Sequence, residues 1–345
     1  MLELAGSQRV FTFPEVHPDA RCEIEFQRTL RIPDDDATYP LPPGLGRFPV
    51  RHIDDFRTNL SANVLKRGGV MIPMYQSEAL WIRFRANYAD RQDEFPFAVK
   101  IAVGKRSAVT GRGWAEGLEK KDYVVVPRQP WIDGFVVAEG VIRQFVAAPL
   151  GMGFTVEEQL TGETEFGGLQ IEVYPMKGDE FERRFPKRKP EPLLPLSLGS
   201  APPALYGLAR LREPSMGMAA GGRMMQHIYA DPYGLDVWEL AHKSRTFVHL
   251  MNSMAWKQIT REQPPTVPPT AKDYASHGLP WFDYYSEAPA LSGTSETDQI
   301  QGILDISTEK GFSILPENES VDSDDLKLVG IHAPERPNTV RNGEW

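Results

Sequence analysis

The stretch Cys22-Glu-Ile-Glu-Phe-Gln-Arg-Thr-Leu-Arg-Ile32 decides how this chain is read. Ile24, Phe26, Leu30 and Ile32 alternate with Glu23, Glu25, Gln27, Thr29 and Arg31, the period of a strand that turns one face to a core. Cys22 shares the parity of Ile24 and Phe26, so its thiol is expected inside and unreactive. Working outward, Phe97, Val99, Ile101 and Val103 repeat the alternation, with Lys100 on the opposite face. Val70–Tyr75, Ala79–Phe84, Tyr123–Val126, Val141–Val146 and Leu169–Val173 read as further strands, punctuated by Gly68-Gly69, Gly104, Gly134, Gly140 and Gly167-Gly168. Many short strands with glycine turns predict a β-rich α+β chain. Its core is an antiparallel sandwich or open-barrel-like sheet region, with a few packed helices in the C-terminal part.

Helices are expected where a cap meets three-and-four spacing. Asp54 or Asp55 begins a run in which Phe56, Leu60 and Val64 share a face and Gly68 stops it. Leu235–Arg261 reads as helix from Val237, Leu240, Val248, Met251, Ala255 and Ile259, although Phe247–Met251 is apolar on both faces, as in a buried strand. Thr270 caps a short helix closed by Gly278, and Gln299–Leu304 is a last short one. The chain thus divides into a β-rich region (1–185), a Pro-rich linker or crossover (186–204), a mixed region packed on the first (205–312) and an acidic, partly mobile tail (313–345).

The 345 residues are 41% hydrophobic and 25% charged, a globular composition that excludes wholesale disorder. A single cysteine excludes an internal disulfide framework and a cysteine-rich metal site. From Trp281 onward thirteen acidic residues face four basic ones, so the net charge of −9 resides entirely in that end and the body is neutral. A neutral body with an acidic tail argues against a nucleic-acid partner. No run reaches the ~20 apolar residues of a membrane helix, and Met1–Val10 carries Glu3 without the apolar core of a secretory signal. A cytoplasmic protein is expected.

Phosphate loops, His-Glu-x-x-His and nucleophile-elbow motifs are absent from the sequence. Three groupings have the chemistry of a site. His227, Asp231, His242 and His249 offer imidazole and carboxylate ligands for zinc, iron or copper, yet His242 and His249 on a helix would stand about 10 Å apart along its axis. Met216, Met218, Met224 and Met225 beside His227 offer soft ligands suited to copper(I), or simply adaptable packing. Glu157, Glu158, Glu163 and Glu165 flank Thr161-Gly162, where a turn would bring acidic pairs together for acid–base work, with Glu157 and Glu158 as the catalytic candidates, or merely leave them solvated. Trp281, Phe282, Tyr284 and Tyr285 read as an aromatic anchor for the C-terminal region.

Val141-Ile-Arg-Gln-Phe-Val-Ala-Ala-Pro149, Gly151-Met-Gly-Phe-Thr-Val-Glu-Glu-Gln-Leu-Thr-Gly162, Gly167-Gly-Leu-Gln-Ile171 and Leu279-Pro-Trp-Phe-Asp-Tyr-Tyr285 together resemble an uncharacterised family of microbial hypothetical proteins. Members of that family are sometimes labelled membrane proteins, which the hydropathy here opposes. The resemblance runs from about Phe13 to Pro316. It implies one recurring unit and carries no activity or site residue with it.

The sequence therefore leads with a soluble binding or assembly protein, taking a protein partner or a second copy through the surface loops Pro149–Gly168 and Pro214–Gly222. The alternatives are a metal-dependent enzyme built on the His/Asp cluster, with a divalent transition metal, and a protein that inserts a Gly/Met-rich hairpin into membranes.

Overall fold

A computed structural model describes residues 2–35, 37–89, 93–186, 215–285, 289–311, 320–321 and 326–332. The Pro-rich stretch from Lys187 to Pro214 and most of the acidic tail lie outside the described residues.

The fold is β-rich α+β, organised on one large, mainly antiparallel sheet. Its principal strands are β1 (Gln8–Thr12), β2 (Arg21–Thr29), β3 (Val70–Met74), β4 (Ala79–Ala86), β5 (Phe97–Val103), β6 (Gly134–Ala138), β7 (Val141–Pro149), β8 (Leu169–Pro175), β9 (Ser215–Met225) and β10 (Ser244–Asn252). β1 pairs with β2, β2 with β4, and β4 with β7 through Phe145↔Leu80. β7 continues to β9, which meets β10 at Met216↔Leu250. β10 then joins β8, and β8 joins β5. Adjacent strands mostly run antiparallel; β10 also takes β3 as a parallel neighbour.

Apolar residues from the whole length feed the core. Phe26, Ile82, Val99 and Phe145 pack in the same cluster as Trp238, Val248 and Trp281, all at most 1% exposed. Cys22 is fully buried, as its parity requires, and burial pushes its thiol pKa far up. The polar parity of β2 is covered too: Glu25 and Thr29 are as buried as Ile24. The polar parity is thus covered at Glu25 and Thr29 and partly open at Glu23 and Arg31.

Six helices are present among the described residues: α1 (Ala62–Arg67), α2 (Val156–Thr161), α3 (Gly178–Arg184), α4 (Ser253–Thr260), α5 (Ala271–Ser276) and α6 (Ile303–Lys310). α5 begins where Thr270 accepts from the Asp273 amide, as the sequence predicts. The run expected from Asp54 to Gly68 divides instead into a 3-10 turn at Ile53–Phe56 and α1, which ends at Gly68. The short helix expected at Gln299–Leu304 becomes a 3-10 turn at Thr297–Gln299 followed by α6.

Two segments differ more deeply. Leu235–Arg261, expected as helix with a buried strand at Phe247–Met251 as the other reading, holds β10 and only then α4. The reason is the two-sided apolarity of Phe247–Met251, which suits a strand flanked by β3 and β8. Pro214–Gly222, expected as a surface loop, enters β9 from Ser215 onward and is buried between β7 and its neighbours, with Met218, Ala219 and Ala220 at 0% exposure. Its glycines serve closeness rather than mobility: a Cβ on Gly222 would lie 1.8 Å from the Pro33 carbonyl oxygen. A Gly/Met-rich hairpin free to enter a membrane is therefore not what this stretch forms. No helix among the described residues is long and apolar enough to cross a membrane.

Candidate functional site

The structure disperses the histidine and aspartate set. His249 lies on β10, its Nε2 3.0 Å from the Gly68 carbonyl oxygen and its ring against Phe247. Burial lowers its pKa to about 4, so it is a neutral core imidazole. Asp231 accepts from the Tyr123 hydroxyl (2.5 Å), Trp238 Nε1 (3.1 Å) and the Tyr233 amide (2.7 Å). His242 is exposed, with Glu239 3.7 Å away. His227 is exposed near the end of β9 and packs over Gly140. Among the described residues no three His, Cys, Asp or Glu side chains gather as metal ligands. The helix that would have aligned them is a strand. The methionines, expected in a surface loop, separate along β9, with Met218 and Met224 buried and Met225 exposed.

Glu157 and Glu158 begin α2 rather than lining a hairpin. Thr155 and Glu158 form a reciprocal capping box, and Gly162 closes the helix in the left-handed conformation. Glu158 Oε1 accepts from the Gly151 and Gly153 amides at 2.9 and 2.8 Å. Both oxygens of Glu157 accept amides, from Phe166 and Gly167, each at 2.7 Å. With amides on these oxygens, the two carboxylates act as fasteners for the 150–168 loop.

Two polar assemblies that the sequence does not group emerge from the sheet. The first is closed. Lys100, in the middle of β5, is 1% exposed and sits directly opposite Glu172 of β8. Its Nζ meets Asp122 Oδ2 at 2.7 Å and donates to the Ala115 and Gly117 carbonyls at 2.8 Å each. Glu172 in turn accepts from the Tyr174 hydroxyl at 2.7 Å and pairs with Lys243 at 2.9 Å. The stretch from Arg112 to Asp122 covers this layer as a flap, with Trp114 4.9 Å from Lys100 Nζ. Burial raises the Asp122 pKa, against the pull of Lys100.

The second is open. Across four strands, Gln8, Glu25, Arg83 and Trp131 stand in one row, and Arg47, Gln27 and Trp81 form the next. Glu25 lies at the base, held by Gln8, by Gln27 at 2.9 Å and by Arg47 at 3.0 Å. Trp81 and Trp131 meet edge to face, ring centres 6.3 Å apart, and both are half-buried. Burial first, with the like charges of Arg85 and Arg47, lowers the Arg83 pKa against the pull of Glu25. Beside Trp131 runs a crevice lined by Leu41, Gln129, Met225, His227 and Tyr229, with room for about one water molecule. Beneath it Asp133 and Gln226 hold each other through two hydrogen bonds of 2.9 and 2.8 Å, and burial raises the Asp133 pKa to about 7.

His227 is the one residue of the sequence-named set that borders this surface, and Met225 brings the exposed end of the Gly/Met-rich stretch to it. Trp81 was legible: it has the polar parity of Arg83 within Ala79–Phe84, where an indole is out of place unless it faces a partner. The crevice was not, because Leu41, Gln129 and Met225 converge from three distant stretches. No family model, curated protein or solved structure matches the chain, so the reading of this surface rests on its geometry.

Proposed function

We propose that the chain is a binding protein that takes a protein partner, or a second copy of itself, through the Trp81–Trp131 face and the adjoining crevice. The observation that carries this reading is the contrast among tryptophans: Trp238, Trp256 and Trp281 are at most 1% exposed, whereas Trp81 and Trp131 stand side by side at the surface among arginines. Tryptophan and arginine are enriched among the residues that carry interface energy, and methionine is enriched in interface composition. The crevice is far below the ~300 Å³ of a small-molecule pocket, which favours a macromolecular surface over an engulfed metabolite. The lone, buried Cys22 accords with action in the cytoplasm.

The test compares tagged wild-type protein with a Trp131→Ala, Arg83→Glu variant recovered from the native cells, together with light scattering of both. A partner or dimer kept by the wild type and lost by a folded variant supports the reading. Identical partners and identical mass for both would end it.

A further inference from the structure

The closed layer contains a pair whose chemistry goes beyond packing. Among the described residues, Lys100–Asp122 is the one lysine–carboxylate ion pair with both side chains buried, at 1% and 8% exposure. The other deeply buried pairs, Arg28–Glu78 and Arg143–Asp34, present a guanidinium, which is a poor nucleophile, and Lys243 opposite Glu172 is 27% exposed to competing water. We propose that Lys100 and Asp122 condense to an intramolecular amide, a covalent staple between β5 and the foot of the flap.

The geometry supplies each requirement. Nζ lies 2.7 Å from Asp122 Oδ2, which places the carboxyl carbon, one bond further, near the ~3–3.5 Å separation of a reacting pair. The Ala115 and Gly117 carbonyls anchor Nζ in that position. The other carboxyl oxygen, Oδ1, accepts the Glu119 amide at 3.0 Å, a backbone donor aimed at the atom where negative charge collects during attack. Trp114 over Nζ, and the flap that carries it, hold bulk water away from the pair.

The step balances without an added reactant. In the step itself the ammonium passes a proton to Asp122 Oδ2, giving a neutral amine and a neutral carboxylic acid. The nitrogen lone pair then adds to Cγ, forming the C–N bond and an oxyanion on Oδ1. A second proton moves from nitrogen to the Oδ2 hydroxyl, the C–Oδ2 bond breaks, and one water leaves. The amide keeps one N–H, which donates to a flap carbonyl.

Intact mass of the purified folded wild type tests this directly. The expected mass is one water below that of the sequence, allowing for removal of Met1, and digestion yields a branched peptide joining the Lys100 and Asp122 stretches. Lys100→Arg retains the charge without the nucleophile, and should return the full mass. Asp122→Asn should lose one ammonia instead of one water, because the amide nitrogen becomes the leaving group. A wild-type mass equal to the sequence mass after prolonged incubation of the folded protein overturns the proposal, as does a water loss that persists in Lys100→Arg. The wild-type measurement stands even where a variant fails to fold.

Discussion

The two polar assemblies are built from the same kinds of residue on one sheet, yet they are opposites. Under the flap, Lys100, Asp122, Glu172 and Tyr174 satisfy one another, and Lys243 and Trp114 complete their surround. On the β2–β4 face, Glu25 is neutralised at the base while Arg83, Arg47, Trp81 and Trp131 remain partly open to solvent. Charge alone does not identify a functional surface. What separates them is exposure: the groups under the flap are mostly buried, whereas Arg47, Arg83, Trp81 and Trp131 are partly open to solvent. Substitutions should therefore move stability in the closed layer and recognition on the open face.

The largest effect should come from breaking the closed layer on one side. Lys100→Met leaves Asp122 buried without its partner and should cost about 3–5 kcal/mol, read from urea unfolding with midpoint and slope both fitted. Adding Asp122→Leu removes the orphaned charge and should recover the part of the loss that this charge causes, while the part owed to the proposed amide stays lost. A single variant as stable as wild type would mean that water reaches the pair, and the contrast between the two regions would fail.

A second test uses two buried titrating groups with opposite signs. Asp133, under the open crevice, has a folded pKa of about 7 against 3.8 in the unfolded chain. Between those values the folded state binds the extra proton, so its stability falls as pH rises from about 4 to 7. His249, which shares the face of β10 that carries Phe247, has a folded pKa of about 4 against 6.5 unfolded. There the unfolded state binds the extra proton, so stability is present above 6.5 and is lost as pH falls towards 4. The two slopes oppose each other, each a few kcal/mol across its window. Asp133→Asn preserves the Gln226 hydrogen bond and should unmask a stability that rises with pH between 4 and 6.5. His249→Gln should leave the opposite slope. Urea midpoints at several pH values, flat for wild type and for both variants, would show that water or local opening relieves the burial.

These groups also show what the sequence discloses and what it withholds. Period-two alternation located β2, β4, β5, β7 and β8 because each presents an apolar parity that any core would demand. Thr270 and Gly278 marked α5 because caps are local chemistry. β9 was hidden, since Gly217, Gly221 and Gly222 look like a loop until Thr155, Val146 and the Pro33 carbonyl are packed against them. β10 was left open between helix and strand, because Phe247–Met251 is apolar on both faces within a stretch of three-and-four spacing. The site followed the same division. The exposed parity of Trp81 could be read from six residues, whereas the meeting of Trp131 with Leu41 and Met225 depends on the path of the whole sheet. His242 and His249, which a helix would have placed on one face, stand apart because β10 forms there instead.

Trp131→Ala should be nearly silent in stability, on the order of 1 kcal/mol, because the indole is only half-buried and leaves no closed cavity. Trp238→Ala, which empties a fully buried position, should cost about 3–5 kcal/mol. If Trp131→Ala matched Trp238→Ala in its urea midpoint, the open face would be part of the core and its exposure irrelevant to recognition.

The smallest effect tests the histidine set. His242 is half exposed, with Glu239 3.7 Å away across solvent, and an exposed pair of that kind contributes little. His242→Ala should stay within about 0.5 kcal/mol of wild type and leave the metal content of natively purified protein unchanged. The decisive comparison is within the set itself. His242 and His249 are seven residues apart in sequence, but one lies in solvent on the approach to β10 and the other is buried inside it. A strand carries neighbouring imidazoles into different surroundings, whereas the helix first inferred would have lined them along one face. Elemental analysis showing a transition metal lost from His242→Ala and His249→Gln alike would require the two to converge, and would reinstate the metal-dependent reading against the dispersed geometry.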